Sequence, residues 1–356
     1  MPQKSLSSEL TFLLDYAIEH KASDLHIVAD ASPTIRVDGQ LVPVDKPAYS
    51  AAKANEVVGD LIGAQLLERI STNRKELDFS FSYKELRFRC NVFYQKGVLA
   101  GSIRLLPNEV PKFEDLGVPA AAIKMIQHNQ GLIIVSGPTG HGKSTTLAAM
   151  VNMIATERRG HVITIEDPIE YVFTHKKSII SQREVGSDTP SFASALRAAL
   201  REDPDVVLVG EMRDQETMEA ALQLAETGHL VLTTLHTNSA AQTADRIIDV
   251  FPPHQQDQVR VQLAEVLLGV ISQRLLPRTK GGRVLATEVL VANSAVRSIL
   301  REGKTHQLPN LIQTSAAEGM IGLDKSLAEL VGKGEVSVDD ALAWSLDPKA
   351  LKMMIY

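Results

Sequence analysis

The ten residues GPTGHGKSTT, 137–146, combine three glycines, a lysine and several hydroxyl side chains. Gly137 to Ser144 fit the pattern G-x-x-x-x-G-K-[ST]. They follow GLIIVSG, which predicts a buried strand, and precede KSTTLAAMVNMIATE, which predicts a helix. In that setting glycines let backbone N–H groups face a phosphate, and the N-terminus of the helix adds partial positive charge. The pattern therefore predicts a loop that binds nucleotide phosphates.

The whole loop is assigned to binding of ATP. Lys143 is expected to reach the β- and γ-phosphates, and the Ser144 hydroxyl is expected to bind Mg²⁺. His141 stands at a position often held by a small residue. We expect its backbone N–H to serve the loop, and its side chain to point outward and stay neutral. The assigned residues are Gly137, Pro138, Thr139, Gly140, His141, Gly142, Lys143, Ser144 and Thr145.

Polar side chains follow three further segments that predict parallel strands. ITI leads to Glu166, VVLVG to Glu211, and VLTTL to His236. Because ligands bind beyond the carboxyl ends of strands in parallel α/β sheets, we expect these side chains near the loop. Glu211 is predicted to bind the metal with Ser144, and Glu166 to polarise the attacking water. His236 is predicted to contact the γ-phosphate, and which of the two acids is the base stays open.

His229 precedes His236 on the same predicted strand. The odd spacing places the two side chains on opposite faces. Their positions would lie on the order of 23 Å apart on a fully extended strand. Only His236 reaches the edge with the loop, so the residues alone favour a structural role for His229 beside the helix end at Gly228.

The region before residue 107 predicts a smaller α+β unit. LDFSFS, LRFRCNVF and VLAGSIRLL predict strands. Their alternation directs Phe88 and Val92 to one face and Arg87 and Arg89 to the other, with Arg104 also on the polar side. A solvated face is the simpler interpretation of these arginines. The alternative is that they meet a phosphate.

The chain as a whole predicts an α/β protein of two domains. We expect an α+β domain at 1–106, a linker with three prolines at 107–119, and an ATPase domain at 120–356. From residue 131, strands alternate with helices, which favours a parallel sheet covered on both faces. The last hundred residues predict a mostly helical region.

Composition excludes several classes of protein. The chain has 356 residues and a net charge of −6, which counts against a dedicated nucleic-acid binder. Its single cysteine, Cys90, excludes an intrachain disulfide and a four-cysteine zinc site. The N-terminal segment predicts an amphipathic helix and not a signal peptide. The sequence has no apolar run long enough to span a membrane.

Four ordered motifs resemble the secretion ATPase superfamily, and within it the PilT-like retraction ATPases of type IV pili. GPTGHGKSTT, ITIEDPIEYVF, LREDPDVVLVGEMRD and AETGHLVLTTLHTNSAAQTADRIIDVF are similar to its Walker A, Asp box, Walker B and His box. SAVRSILREGKTHQ resembles the signature Ala-Ile-Arg-Asn-Leu-Ile-Arg-Glu. Matching residues are Ala295, Arg297, Arg301 and Glu302, whereas Val296, Ser298, Ile299 and Leu300 are exchanged.

The resemblance implies a hexameric ring of a PAS-like domain followed by a RecA-like P-loop domain, with ATP and Mg²⁺ at subunit boundaries. It implies a cytoplasmic protein at the cytoplasmic face of the inner membrane, at the pilus base. There it would be peripheral to the membrane and act on an inner-membrane platform protein, with a second retraction ATPase as a further partner. It adds His229 to the catalytic candidates, and Arg89 and Arg104 as arginines supplied to a neighbour's nucleotide.

Other functions stay open at this stage. The alternatives are a pilus assembly or type II secretion ATPase, an accessory ring that supports a second motor, and a nucleic-acid translocase. Assembly ATPases usually have a longer N-terminal region and a tetracysteine zinc site. This sequence has neither, which favours retraction. The acidic balance and the lack of Lys/Arg clusters count against the translocase.

Overall fold

The computed structural model describes residues 6–37, 39–72, 76–84, 86–106 and 109–356. The chain divides into two compact units. The first comprises Met1–Glu109 together with Glu170–Val172, and the second comprises Val110–Ile169 and Phe173–Tyr356. Within the described residues, no helix combines the length and apolarity needed to cross a lipid bilayer.

The described residues of the first unit form an antiparallel sheet of six strands with two helices, in the strand order β3-β2-β1-β6-β5-β4. The three strands predicted from alternation are present as β4, β5 and β6. The elements in chain order are α1 (Ser8–Glu19), β1 (Asp24–Ile27), β2 (Thr34–Val37), β3 (Gln40–Pro43), α2 (Ala51–Thr72), β4 (Glu76–Tyr83), β5 (Leu86–Gln95) and β6 (Val98–Leu105).

One face of this sheet forms the core of the first unit. Phe88 and Val92 on β5 are fully buried, as their alternation predicts. Helix α1 contributes Leu10, Leu13 and Leu14, whose helical spacing places them on the buried side. The opposite face of β5 and β6 therefore carries the polar side chains, among them the arginines.

The second unit contains a sheet of seven strands in the order β13-β12-β7-β11-β10-β8-β9. Its strands are β7 (Gly131–Ser136), β8 (His161–Glu166), β9 (Ile179–Glu184), β10 (Val206–Val209), β11 (Leu230–Leu235), β12 (Leu267–Pro277) and β13 (Arg283–Val291). Its helices are α3 (Ala120–Ile126), α4 (Lys143–Glu157), α5 (Phe192–Ala199), α6 (Gln215–Glu226), α7 (Ala240–Asp249), α8 (Pro253–Val266), α9 (Ser294–Arg301), α10 (Leu308–Thr314), α11 (Leu323–Gly332), α12 (Val338–Trp344) and α13 (Pro348–Ile355).

The strands β12, β7, β11, β10, β8 and β9 run parallel, and β13 is antiparallel to β12. Successive residues of β7 belong to two different apolar clusters. Leu132 and Ile134 pack in one cluster, and Ile133 and Val135 pack in the other. Helices therefore cover both faces, as the sequence predicts. Because these strands are parallel, the carboxyl ends of β7, β11, β10 and β8 meet at one edge.

The second unit differs from the sequence prediction in the region after α8 and in the expected linker, and it also contains β9, which was not predicted. The region after α8 is helical from α9 onward, as expected, but it begins with the hairpin β12–β13, which was not predicted. Residues 109–119 lie in the segment expected to be a linker. They include a 3-10 helix, Phe113–Leu116, and Phe113 is 4% exposed in the core formed with α3 and α4. Burial of this aromatic ring ties the segment to the second unit.

Candidate functional site

The loop between β7 and α4 has the backbone that a phosphate cradle requires. Gly137, Gly140 and Gly142 have φ values of 144°, 80° and 80°. Side chains other than hydrogen are strained in this region. Gly142 is the N-cap of α4, which begins at Lys143. The strand and the helix predicted on either side of the loop are both present.

Strand β12 runs beyond the end of β7 and supports the loop from one side. A Cβ atom on Gly137 would lie 2.4 Å from the carbonyl oxygen of Gln273. Gln273 is fully buried. Its Nε2 donates to the carbonyl of His141 at 2.6 Å, and its Oε1 accepts from the Thr146 hydroxyl at 3.1 Å. Gln273 thus links the phosphate loop at His141 to the first turn of α4 at Thr146.

Lys143 lies inside the loop. Its Nζ donates to the carbonyls of Gly137 and Pro138, both at 2.9 Å, and the residue is 8% exposed. Ser144 is exposed in the first turn of α4. The loop therefore concentrates positive charge at the N-terminus of a helix, which favours an anion.

Glu211 and His236 lie together at the carboxyl edge of the sheet. Oε2 of Glu211 lies 2.7 Å from Nε of Arg213 and 3.4 Å from Nε2 of His236. Nδ1 of His236 lies 3.4 Å from the hydroxyl of Thr139 in the loop. The structure therefore joins two of the predicted residues to the loop. Arg213 was not among the predictions.

The surroundings of His236 lower the pKa of its imidazole and so favour the neutral ring. Burial lowers the pKa of His236, and the charge of Lys143 lowers it further, while Glu211 acts in the opposite direction. A neutral ring has one donor and one acceptor nitrogen. Its contact with Glu211 is therefore a hydrogen bond donated by Nε2, which leaves Nδ1 to accept from Thr139.

Glu166 ends β8, the neighbour of the strand that leads to Glu211. Its Oε1 accepts from the Thr164 hydroxyl at 2.6 Å and from Nε2 of Gln182 at 3.1 Å. Gln182 belongs to β9, which was not predicted. Glu166 is thus an oriented carboxylate at the same edge as the loop.

Comparison with known proteins identifies the family. The model of the type II/IV secretion system protein family matches residues 3–342. The chain belongs to this family. The type IV pilus retraction ATPase PilT of Pseudomonas aeruginosa is 44% identical over 94% of this chain and 97% of its own length. A twitching motility protein of Neisseria gonorrhoeae is 46% identical over 88% of this chain and 84% of its own.

A solved structure has the same fold. The crystal structure of the pilus retraction motor PilT with bound ADP is 48% identical, covers 97% of this chain and 98% of its own, and has a TM-score of 0.91. The predicted fold class and the predicted resemblance to PilT-like ATPases are confirmed.

In this family member, His229 lies away from the loop of its own unit. It directly precedes β11, at the amino end of the strand whose carboxyl end leads to His236. Its Nδ1 lies 3.0 Å from the carbonyl of Leu224 and 3.2 Å from the hydroxyl of Thr227. This geometry fits a residue that closes the end of α6. The catalytic role of His229 stays a prediction.

Two arginines of the first unit, Arg104 and Arg36, lie beside Asp24. Nε of Arg104 donates to Oδ1 of Asp24 at 2.8 Å, and Nε of Arg36 lies 4.0 Å from Oδ2. Burial raises the pKa of Asp24, but hydrogen bonds from Arg104 and Ser23 outweigh it, so the pKa lies below its usual value. Arg89 is exposed and stands opposite Arg104 in the β5–β6 register. The expected arginine face is present.

The sequence predicts that the side chain of His141 points outward, and this prediction is wrong. Its Nδ1 accepts from the backbone N–H of Leu275 at 2.9 Å. Its ring meets that of Trp344 edge-on, with centroids 4.8 Å apart. The strand β12 and the helix α12, neither of which the local pattern of the loop reveals, supply these partners.

Proposed function

We propose that the chain is a hexameric motor ATPase that hydrolyses ATP to power retraction of type IV pili. The observation that carries this proposal is that the similarity to PilT of P. aeruginosa spans 94% of this chain, hence both units. A likeness restricted to the phosphate loop would support only nucleotide binding. The arginine face, the loop and the strand-end acids offer the types of group that phosphoryl transfer uses, which supports the proposal.

ATP is proposed to bind with its β- and γ-phosphates at the loop, within reach of Lys143. Mg²⁺ usually takes one or two carboxylates together with substrate phosphates and waters. The Ser144 hydroxyl and the Glu211 carboxylate fit this donor set. Among the described residues, no group of three or more His, Cys, Asp or Glu side chains is arranged to hold a metal ion.

Glu166 and Glu211 are proposed to have different roles in hydrolysis. Hydrogen bonds from Thr164 and Gln182 orient Glu166, which supports its proposed role in polarising the attacking water. Glu211 is 15% exposed and is proposed to stand beside the metal. His236 touches both Glu211 and the loop, so it is proposed to respond to the γ-phosphate.

Arg89 and Arg104 are proposed to act on the nucleotide of a neighbouring subunit, with Arg87 behind them. An arginine supplied in trans can accelerate phosphoryl transfer by roughly 10³ to 10⁵. The ion pair with Asp24 uses Nε of Arg104 and leaves its side chain 63% exposed, so the end of the guanidinium can reach an anion.

An Arg89→Ala, Arg104→Ala double variant is expected to form rings, bind ATP and fail to hydrolyse it. Mixing it with Lys143→Ala is expected to restore some hydrolysis, because an intact loop can then face intact arginines. Full activity of the double variant alone would refute the proposal that these arginines take part.

The proposed location is the cytoplasmic face of the inner membrane at the pilus base, in contact with a platform protein. Deletion of the gene in its host tests the direction of force. Surface pili counted by electron microscopy should exceed those of the parent strain. Absence of pili would instead indicate an assembly ATPase, and an unchanged number would favour an accessory ring. Restoration by the parental gene, and not by a Lys143→Ala allele, is the matched control.

A further inference from the structure

His141 connects the phosphate loop to two elements from the last hundred residues. Its Nδ1 accepts from the backbone N–H of Leu275 on β12 at 2.9 Å. Its ring packs edge-on against Trp344, the last residue of α12, at an interplanar angle of 66°. We call these three residues the loop latch. The latch crosses 134 residues of sequence between His141 and Leu275.

The hydrogen bond from Leu275 requires that Nδ1 of His141 carry no proton. A backbone N–H can only donate, so Nδ1 must carry a lone pair. Burial, with the charges of Arg274, Lys143 and Arg283, lowers the pKa of His141. These groups come from β12, α4 and β13, and all three disfavour a charged ring. The ring of His141 can therefore accept the hydrogen bond from Leu275 at neutral pH.

The latch is separate from the bonds that shape the turn. Gln273 holds the His141 carbonyl, whereas the latch uses only the side chain of His141. Removing the imidazole therefore leaves the backbone of the loop bonded. A change in nucleotide affinity after such a substitution would therefore result from loss of the side-chain contacts and not from loss of the turn.

We propose that His141 is a positioning residue that couples the phosphate loop to α12, so that nucleotide at the loop alters the surroundings of Trp344. The proposal rests on the proposed function, since it requires nucleotide at this loop. Its two contacts have separate consequences. The bond to Leu275 restrains the loop in the shape that binds phosphate, and the ring transmits the state of the loop to α12.

Two substitutions separate these contacts. His141→Leu keeps much of the side-chain volume against Trp344 and removes the acceptor. His141→Asn keeps an acceptor oxygen and removes the ring. His161→Leu is the matched control, since His161 is a half-buried histidine at the other edge of the sheet, bonded to the Glu202 carbonyl at 2.9 Å.

Isothermal titration of each full-length chain with Mg²⁺ and ADP gives the dissociation constant. His141→Leu is expected to raise it by about fivefold, which corresponds to about 1 kcal/mol, the typical worth of one hydrogen bond. His161→Leu is expected to stay within about twofold of the parent.

Trp344 is the only tryptophan of the sequence, so emission at 295 nm excitation reports this position alone. We expect ADP to change the emission of the parent and of His161→Leu, and to leave that of His141→Asn unchanged at saturation. Parental affinity in His141→Leu, or no emission change in a parent that binds ADP, would overturn the latch and leave the proposed function intact. A parent that does not bind ADP would overturn both.

Discussion

Replacement of Gln273 by leucine is the sharpest test of how β12 supports the loop. The side chain is fully buried, and the substitution keeps nearly the same volume while it removes both hydrogen bonds. The Thr146 hydroxyl, 2% exposed, would lose its acceptor, and the His141 carbonyl would lose its donor. Each buried polar group left without a partner costs about 1–3 kcal/mol, and the half-buried His141 carbonyl falls at the low end because water can reach it.

The expected loss of stability is therefore about 2–4 kcal/mol. For a unit of this size, 1 kcal/mol shifts the melting temperature by about 2–4 °C, so Gln273→Leu should melt roughly 4–16 °C below the parent in circular dichroism. The matched control is Gln262→Leu, whose Nε2 makes an exposed bond with Glu226 at 2.7 Å. That variant should stay within about 0.5 kcal/mol of the parent. A melting temperature of Gln273→Leu equal to that of Gln262→Leu would refute the support that we assign to β12.

Three further outcomes are expected. Lys143→Ala should abolish Mg²⁺-dependent phosphate release from ATP, because it removes the charge beside the β- and γ-phosphates; turnover at the parental rate would remove the loop from the reaction. Glu166→Gln and Glu211→Gln should each bind ATP and fail to hydrolyse it. If either variant hydrolyses ATP at the parental rate, the acid that it replaces lies outside the site. Asp24→Asn should lower stability at pH 7 by about 1 kcal/mol in urea unfolding, since an ionised acid bonded to an arginine is lost. Because the folded pKa of Asp24 is lowered, the difference should be complete above the unfolded value of about 3.9 and should shrink as the pH falls through the folded pKa, so a difference that stays constant on acidification would contradict the assignment.

The parts of the site that sequence reasoning found are those encoded by neighbours in the chain. The loop is recognised because its glycines, lysine and flanking periodicities lie within one short segment. Glu211 and His236 follow from a rule about where parallel strands end. In each case the local pattern and the sheet order agree, so a single sequence is enough.

The parts that were missed depend on pairing between distant segments. LLGVISQRLLP has two short apolar stretches, LLGVI and LLP, on either side of Ser272, Gln273 and Arg274, and this pattern does not distinguish a buried strand from a buried helix. Only the pairing of this segment with β7 identifies it as strand β12. Without β12, the role of Gln273 and the inward direction of His141 have no signal in the sequence. The same holds for Gln182, which reaches Glu166 from β9.

The place of β12 beside β7 also orders events during synthesis. The loop is translated long before its supports, since Gln273 follows His141 by 132 residues and Leu275 follows it by 134. At roughly 5–20 residues per second, the ribosome needs about 7–26 s to cover that interval. During this time a nascent chain has the glycines and the lysine but not the strand that holds them. The loop therefore gains its supports only after residue 275 of the 356 has been translated.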